Sequence, residues 1–290
     1  MASETAGLIN ELNLKRPRLS KSYRAIAAFI EEHYERVPAM TATALAREVG
    51  VSESTVVRFA NALGYEGYPG LQKALQYQVR KRLTTDERFS LGAELSQENV
   101  LKTVLKADMR NIRQTVDQID SEAFTRTVET ILNARHIYIL GLRSAAPLAQ
   151  FMTYYLNFIF DNVAQVSTGL GDAFEGLLRI QPEDVLVGIS FPRYSTRTLD
   201  AMRFAHKAGA RVIAITDSVR SPLNNEADLC LTASTEMPSF ADSLAAPLSL
   251  INALIVALGL AKKEEVSNYL ESLEDIWNET ETYFDKSGDV

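Results

Sequence analysis

The segment GISFPRYSTRT, residues 188–198, holds two serines, two threonines and two arginines directly after an apolar run. Hydroxyl, backbone N–H and guanidinium groups are the donors with which proteins bind phosphate and carboxylate anions. A second stretch of this kind is GLRSAAP, residues 141–147, which follows the apolar run HIYIL. Both pass from a predicted strand into a predicted helix, whose N-terminus favours an anion. The sequence therefore predicts an anion-binding site, with the candidates Arg143, Ser144, Ser190, Arg193, Ser195 and Thr196.

Simpler roles exist for the same side chains. Ser144 and Ser195 both stand where serine often caps a helix. Arg193 stands beside Tyr194, so it could be solvated or packed on the ring. Pro192 removes one amide donor from the loop, which makes Arg193 the nearest replacement donor. Two loops of this composition at neighbouring strand ends favour a ligand site over two isolated caps.

A second pattern, TATALAREVGVSESTVVRFANALG, occupies residues 41–64. It predicts a short helix, a tight turn at Gly50, where a positive φ costs little, and a second helix capped by Ser52. This is the form of a helix-turn-helix, whose second helix enters the DNA major groove, where arginine can read guanine. A plain helical hairpin is the alternative. The candidate DNA contacts are Thr43, Ser52, Glu53, Ser54, Thr55 and Arg58.

The charge distribution supports contact with a polyanion at the N-terminal end. Residues 1–83 hold 12 Lys and Arg against 8 Asp and Glu, a balance of +4, within a chain of net charge −7. The remainder holds 18 against 29, a balance of −11. A basic head on an acidic protein is typical of a domain that meets nucleic acid.

The periodicity of the chain places these motifs on two kinds of structure. Helical patterns fill the first 132 residues, except for the polar stretch TTDERFSLGAELSQEN, which is typical of a linker. Short β-branched runs then alternate with helices, which predicts a parallel, doubly wound α/β sheet. The expected domains are a helix-turn-helix domain at 1–83, a linker and connecting helix at 84–120, and a ligand-sensing domain at 121–290.

The stretch MTATALAREVGVSESTVVRFANALGYEGYPGLQKAL, residues 40–75, resembles the N-terminal domain of the RpiR-type bacterial transcriptional regulators. That family carries T-x-x-x-L-A-x-x-x-G-V-S-x-x-T-V-x-R-F followed by L-G-x-x-G-Y-x-x-[FL], and both segments stand in this chain. The family joins this domain to a sugar isomerase (SIS) domain, and the second half of the chain resembles one. The resemblance implies DNA binding regulated by a sugar phosphate.

The resemblance also gives a pattern for the second loop, which usually reads Ser-x-Ser-Gly-x-Thr in SIS domains. Ser190 matches the first serine and Ser195 the threonine. Pro192 stands at the second serine and Arg193 at the glycine, so a hydroxyl is missing and a cation has been added. A sugar acid is therefore a rival to a sugar phosphate as the ligand.

An enzyme is the alternative class, namely a sugar-phosphate isomerase fused to a nucleic-acid-binding domain. Isomerisation needs a base, usually glutamate or histidine. The three histidines stand away from the two loops, and the loops contain no Asp, Glu or His. The remaining candidate bases are Asp172, Glu175, Glu236 and Asp242. We therefore expect no catalytic activity, no metal site and no cofactor.

Composition agrees with a regulator inside the cell. Apolar residues make up 46% of the chain, its single cysteine excludes an internal disulfide, and we expect no signal peptide and no membrane segment. The expected function is that of a cytoplasmic transcriptional regulator that acts as a repressor. Its expected partners are operator DNA, bound by a homodimer or homotetramer, and a small phosphorylated sugar or sugar-acid effector.

Overall fold

The computed structural model describes residues 20–34, 36–82, 85–92, 99–166, 172–237 and 239–283. The chain divides into two compact units, Met1–Gly92 and Ala93–Val290. The boundaries at residues 83 and 120 that the sequence suggests remain predictions.

The first unit is helical throughout its described part. Its helices are α1 Lys21–Glu32, α2 Ala42–Val49, α3 Glu53–Ala62, α4 Gly67–Arg82 and α5 Thr85–Gly92, with a 3-10 turn at Val37–Ala39. Ile26, Ile30, Leu45, Val56 and Phe59 are fully buried at its centre. The buried Tyr68 hydroxyl donates to the Met40 carbonyl at 3.0 Å, and burial raises the pKa of Tyr68 to about 12.

The first helix ends at Glu32, capped by His33, and Pro38 lies in the 3-10 turn that follows. One feature of this unit differs from the sequence prediction. The polar stretch expected as a linker contains α5, whose first turn carries Asp86 and Glu87. Acidic residues there stabilise the positive end of the helix dipole, which outweighs the turn-like composition of the stretch.

The second unit is built on five parallel strands. They are β1 Ile137–Gly141, β2 Val163–Val166, β3 Val185–Ile189, β4 Arg211–Thr216 and β5 Leu229–Thr232, in the spatial order β2-β1-β3-β4-β5. This confirms the predicted doubly wound sheet. The order reverses between β1 and β3, and such a reversal is where open α/β sheets bind ligands, beyond the carboxyl ends of the strands.

Helices cover both faces of this sheet. The helices are α6 Val100–Gln118, α7 Ser121–Leu132, α8 Ala146–Leu156, α9 Ala173–Leu177, α10 Thr196–Lys207, α11 Ala245–Ala261 and α12 Lys263–Glu279. One core lies under α7, α8 and α11, and the other lies under α9 and α10. The central strands β1, β3 and β4 are buried on both faces, apart from Arg211 at the start of β4, which explains their continuous apolar runs.

Helix α6 is fastened to the loop that follows β5. The side chain of Asn111, 2% exposed, accepts from Glu236 N–H at 3.1 Å and from the Ser234 hydroxyl at 3.0 Å, and donates to Glu236 O at 2.7 Å. Ser234 N–H donates to Thr115 Oγ1 at 3.0 Å, and the Ser243 hydroxyl donates to Asp108. One stripe of α6 therefore holds both ends of the loop.

Within the described part of the chain, no single helix is both long and apolar enough to cross a membrane. The helices α11 and α12 reach that length and composition only as a pair, and they are bent by 101° relative to each other.

Candidate DNA-binding and ligand-binding sites

Helices α2 and α3 form the predicted helix-turn-helix. Thr41 caps α2 by accepting from Ala44 N–H at 3.1 Å, and Gly50 closes the helix in a left-handed conformation with φ of 74°. Ser52 caps α3 by accepting from Thr55 N–H at 3.3 Å. The sharp turn between α2 and α3 therefore depends on Gly50, because glycine adopts a positive φ at little cost.

Hydrogen bonds join the six candidate DNA contacts into one group of four residues and one pair. Ser52 Oγ shares hydrogen bonds with Ser54 Oγ at 2.9 Å and Thr55 Oγ1 at 2.7 Å. Arg58 Nε donates to Ser54 O at 3.2 Å, so this exposed guanidinium lies along the first turns of α3.

Thr43 and Glu53 join the two helices of the motif. The Thr43 hydroxyl donates to Glu53 Oε2 at 2.7 Å. This bond links α2 to α3 and occupies part of the Glu53 carboxylate. The polar surface is thus made of hydroxyls, one guanidinium and this carboxylate, and the hydroxyls and the guanidinium are groups that contact phosphates and base edges.

In the second unit, the two candidate loops leave adjacent strands. Gly141 at the end of β1 pairs in register with Ile189 at the end of β3. The loops 142–145 and 190–195 therefore begin side by side at the switch point of the sheet. The structure brings the two sequence segments to one edge, as predicted for parallel strands.

The first loop turns tightly over the end of β1. A Cβ on Gly141 would lie 2.6 Å from the carbonyl oxygen of Ala145, so only glycine lets the following 3-10 turn, Arg143–Ala145, approach so closely. Arg143 adopts φ of 56°. Ser144 is exposed, and neither the 3-10 turn nor α8 has a side-chain cap, so Ser144 is not the helix cap considered above.

The second loop is organised by a hydrogen bond between its two serines. The backbone N–H of Ser195 donates to Ser190 Oγ at 3.3 Å, and Ser190 is only 6% exposed. Ser195 also caps α10 by accepting from Thr198 N–H at 3.3 Å. The capping role considered for Ser195 is therefore real, and its hydroxyl proton remains available for donation. Thr196, the first residue of α10, is exposed.

Arg193 has the backbone conformation of the residue it replaces. Its φ is 67°, in the left-handed region that favours glycine. At the position of the family glycine, the loop therefore has a backbone conformation that glycine adopts at little cost, but it carries a guanidinium side chain there.

Two bonded pairs of residues at this edge of the sheet were not predicted from the sequence. The Tyr194 hydroxyl donates to Asp217 Oδ1 at 2.7 Å, which ties the second loop to the end of β4. Arg197 at the start of α10 forms an ion pair with Asp172 at 2.5 Å. The sequence shows polar residues in the loops after the strands, but it does not show which of them bond to each other. The bonded partners are 23 and 25 residues apart, so their spacing along the chain could not predict either pair.

Among the candidate bases for an isomerase, Asp172 is already engaged in an ion pair. The hydrogen bond from Arg197 lowers the pKa of Asp172, which makes this carboxylate a weak base. Glu236 is exposed, with its backbone held by Asn111. His136 precedes β1, at the opposite edge of the sheet, and stacks on Tyr138 at 4.9 Å. Among the described residues, no group of three or more His, Cys, Asp or Glu could hold a metal.

Comparison with known proteins identifies a domain in each half of the chain. The model of the rpiR-family helix-turn-helix domain matches residues 6–82, and the SIS domain model matches residues 130–257. An HTH-type transcriptional regulator of Caldanaerobacter subterraneus subsp. tengcongensis is 26% identical over 261 residues, which cover 87% of this chain and 90% of that protein.

Two solved structures have a similar fold. The sugar isomerase domain of an RpiR transcription factor from Sphaerobacter thermophilus is 27% identical, with a TM-score of 0.58, covering 61% of this chain and 99% of that one. The Vibrio vulnificus NanR protein complexed with ManNAc-6P is 21% identical, also with a TM-score of 0.58, covering 94% and 99%. At 21% identity, the similarity to NanR shows a shared fold and nothing about function. The rpiR-type helix-turn-helix, the SIS domain behind it and the regulator relative together show that this chain belongs to the RpiR-type family of transcriptional regulators.

Proposed function

We propose that the protein represses transcription by binding operator DNA through α2 and α3, and that a phosphorylated sugar or sugar acid bound at the β1–β3 edge changes its operator affinity. The observation that carries the proposal is the meeting of two hydroxyl-rich, arginine-bearing loops at the switch point of a SIS domain. Ligands of open α/β sheets bind at that place.

The proposed effector site has a neutral part and a charged part. The neutral part consists of Ser144, Ser190 and Ser195 with the backbone amides of both loops, which suit the non-bridging oxygens of a phosphate. NanR, a protein of similar fold, was solved with the sugar phosphate ManNAc-6P. This supports a phosphosugar as the class of ligand for the present chain.

The charged part consists of Arg143 and Arg193, one from each loop. Both are exposed, and both adopt left-handed backbone conformations, which non-glycine residues adopt only at a cost of about 1–3 kcal/mol. A guanidinium binds either a phosphate or a carboxylate with two parallel hydrogen bonds. A sugar acid therefore stays a candidate beside a sugar phosphate.

The proposed DNA complex contains at least two copies of the chain. A single α3 offers few side chains to the groove, namely Ser54, Thr55 and Arg58 with the Ser52 cap, with Thr43 on α2 beside them. Specific regulators of this type bind two half-sites as symmetric dimers, which doubles the contacts. A homodimer or homotetramer in the cytoplasm fits this role.

The regulatory mechanism is thermodynamic linkage. The effector binds with different affinity to the DNA-competent and DNA-incompetent arrangements of the protein, and it changes operator affinity by at most the ratio of those two affinities. No chemical step on the effector is part of this proposal, because Asp172 is paired with Arg197 and the two loops carry no base of their own.

The experiment that tests the proposal is a binding screen with the full chain. Phosphorylated sugars and sugar acids are titrated calorimetrically, and compounds that bind are then added to an operator-binding assay. We expect at least one anionic sugar to bind and to weaken operator binding. Binding by neutral sugars alone, or anionic binding that survives Ser190→Ala and Ser195→Ala together, would contradict the proposed site.

A further inference from the structure

Helix α6, Val100–Gln118, carries four exposed cations on one side, which we call the basic row. The row consists of Lys102, Lys106, Arg110 and Arg113. An α-helix turns about 100° per residue, so these four side chains lie within a sector of about 80°. The buried residue Asn111 lies about 100–180° around the helix from each of them. The basic row therefore belongs to the side of α6 that faces solvent.

The basic row contrasts with the acidic part of the chain that contains it. Residues 84–290 have a charge balance of −11, whereas α6 holds four Lys and Arg against two Asp. Other exposed arginines of the second unit pair with carboxylates, as Arg203 does with Glu226 at 2.8 Å and Arg211 with Asp228 at 3.2 Å. Within the described part of the chain, none of the four cations of the basic row takes part in an ion pair. Their charge is therefore available to another molecule.

The spacing of the basic row disfavours the isolated helix. Each cation stands three or four residues from the next. Residues at these spacings are neighbours on a helix surface, and like charges there repel each other. Among the α6 residues three or four positions away from any of the four, only Asp117 is acidic. A polyanion bound along the row would offset this repulsion.

The dimensions of the basic row suit the phosphate backbone of a DNA duplex. At 1.5 Å per residue the row is about 17 Å long, with about 4.5–6 Å between successive cations along the helix axis. Each DNA strand presents one phosphate per about 3.4 Å of duplex axis, so several phosphates of one strand can meet the row. Arg110 and Arg113 can each bind a phosphate through two parallel hydrogen bonds, and the lysines act as point charges.

The basic row stands on a fixed support and belongs to the same chain as the helix-turn-helix. The side chain of Asn111 makes three hydrogen bonds that fasten α6 to the loop after β5. Seven residues, 93–99, separate α5 from α6 in the sequence. Once α2 and α3 have bound DNA, a contact made by α6 of that chain is intramolecular. Individually weak phosphate contacts then add to the overall affinity.

We propose that the basic row of α6 binds the phosphate backbone of the DNA that α2 and α3 read. The ligand-sensing unit then contributes to DNA affinity directly. Contacts to phosphates carry no sequence information, so the row strengthens binding to operator and non-operator DNA alike. The inference rests on the DNA binding in the proposed function and extends it to a surface outside the helix-turn-helix.

The test replaces the basic row by glutamine, which keeps the helix propensity and removes the charge. This row variant combines Lys102→Gln, Lys106→Gln, Arg110→Gln and Arg113→Gln. Fluorescence anisotropy measures binding to a labelled duplex of mixed sequence, about four helical turns long, between about 50 and 200 mM salt. Each lost phosphate contact lowers the slope of log K against log salt by about 0.9, so the slope should fall by about 2–4. Affinity at the lower salt should fall on the order of tenfold.

A second quadruple variant is the matched control for overall charge. It combines Arg126→Gln, Arg179→Gln, Lys207→Gln and Lys263→Gln, at exposed and scattered positions of the second unit. Both quadruple variants lose the same net charge, so an effect of overall charge would be equal in the two. We expect the control to keep the affinity and salt slope of the wild-type chain. Equal losses in the two variants would overturn the proposal.

Folding and assembly are checked in the same samples. Because the row variant has lost the repulsion between its like charges, it should resist urea at least as well as the wild-type chain. Light scattering should find the same molar mass for both. If the row variant unfolds more easily, the single change Lys106→Gln decides the question, with an expected fall in salt slope of about 1.

The outcomes separate this inference from the proposed function. A folded row variant with the affinity and salt slope of the wild-type chain would remove the basic row and leave α2 and α3 as the DNA-binding surface. A wild-type chain that does not bind the duplex even at about 50 mM salt would remove both proposals.

Discussion

Arg143 and Arg193 share a left-handed backbone conformation, with φ of 56° and 67°, in loops that follow the neighbouring strands β1 and β3. Glycine would adopt this conformation at less cost than arginine. Two costly arginines at one edge of the sheet are therefore best explained by what their side chains do, and the backbone and side-chain contributions can be separated experimentally.

Arg193→Gly and Arg193→Ala both remove the guanidinium, but only the glycine variant also relieves the backbone. We expect both to bind the effector more than tenfold less tightly, since a charge-assisted hydrogen bond contributes about 1.5–3 kcal/mol. Urea unfolding should find the glycine variant more stable than the alanine variant by about 1 kcal/mol. Effector affinity equal to wild type in both variants would make Arg193 a bystander.

Arg58→Ala should weaken binding to the operator by about 1–3 kcal/mol if the guanidinium reads a base edge. Arg58→Lys is the matched control, because it keeps the charge and loses the planar fork. Titrations at several salt concentrations distinguish the two possible contacts. If Arg58 touches only phosphate, specific and non-specific affinity fall together, and the salt dependence becomes shallower.

Gly141→Ala should destabilise the ligand domain and distort the first loop. The added Cβ would lie 2.6 Å from Ala145 O and 2.9 Å from Ala149 Cβ, closer than such atoms approach. Gly259→Ala in α11 is the control, since its Cβ would meet only Ile159 Cδ1 at 3.8 Å. That change should raise the free energy of unfolding by about 0.5–1 kcal/mol. Thermal melting of the two variants in parallel shows whether the clash is real.

Asp172→Asn removes the ion pair with Arg197, and its effect should depend on pH. The hydrogen bond from Arg197 lowers the pKa of Asp172 from its ordinary value of 3.8. A lowered folded-state pKa gives stability that is present above pH 3.8 and is lost as the pH falls through the folded-state value. Wild type should therefore exceed the variant in stability at pH 7, and the gap should narrow below pH 3.8. A gap that stays constant would show that the ion pair contributes nothing.

The purified protein should not exchange protons with solvent at C1 or C2 of aldose or ketose phosphates. NMR in deuterated water measures this exchange directly. An isomerase of this fold would need a free carboxylate or imidazole beside the substrate, and Asp172 is instead engaged by Arg197. Exchange above background that disappears in Glu175→Gln or Glu236→Gln would establish catalysis and overturn the regulator-only function.

The regular elements were predictable because each has a strong local signal. The short β-branched runs form β1 to β5, and Ser52 and Ser195, both considered as caps from the sequence, begin α3 and α10. The stretch containing α5 was misjudged because its composition is polar, although its acidic first turn favours a helix. A local sequence pattern predicts an element correctly when its signals agree. It fails in a stretch such as that of α5, where a polar composition favours a loop and an acidic first turn favours a helix.

The detailed geometry of the candidate ligand site could be predicted from the sequence only in small part. The left-handed φ of Arg193 could be inferred only from the glycine of the family pattern, because nothing local to arginine favours it. The bonds Tyr194–Asp217 and Arg197–Asp172 join residues from different crossovers, so they depend on the strand order. Such pairings become visible only once the sheet is assembled.

The buried amide of Asn111 gives the ligand edge a mechanical connection. Breaking its bonds to Ser234 and Glu236 would leave a buried polar group unsatisfied, at a cost of about 1–3 kcal/mol. Helix α6 and the loop after β5 are therefore expected to move together as one part of the second unit, because separating them would expose that cost.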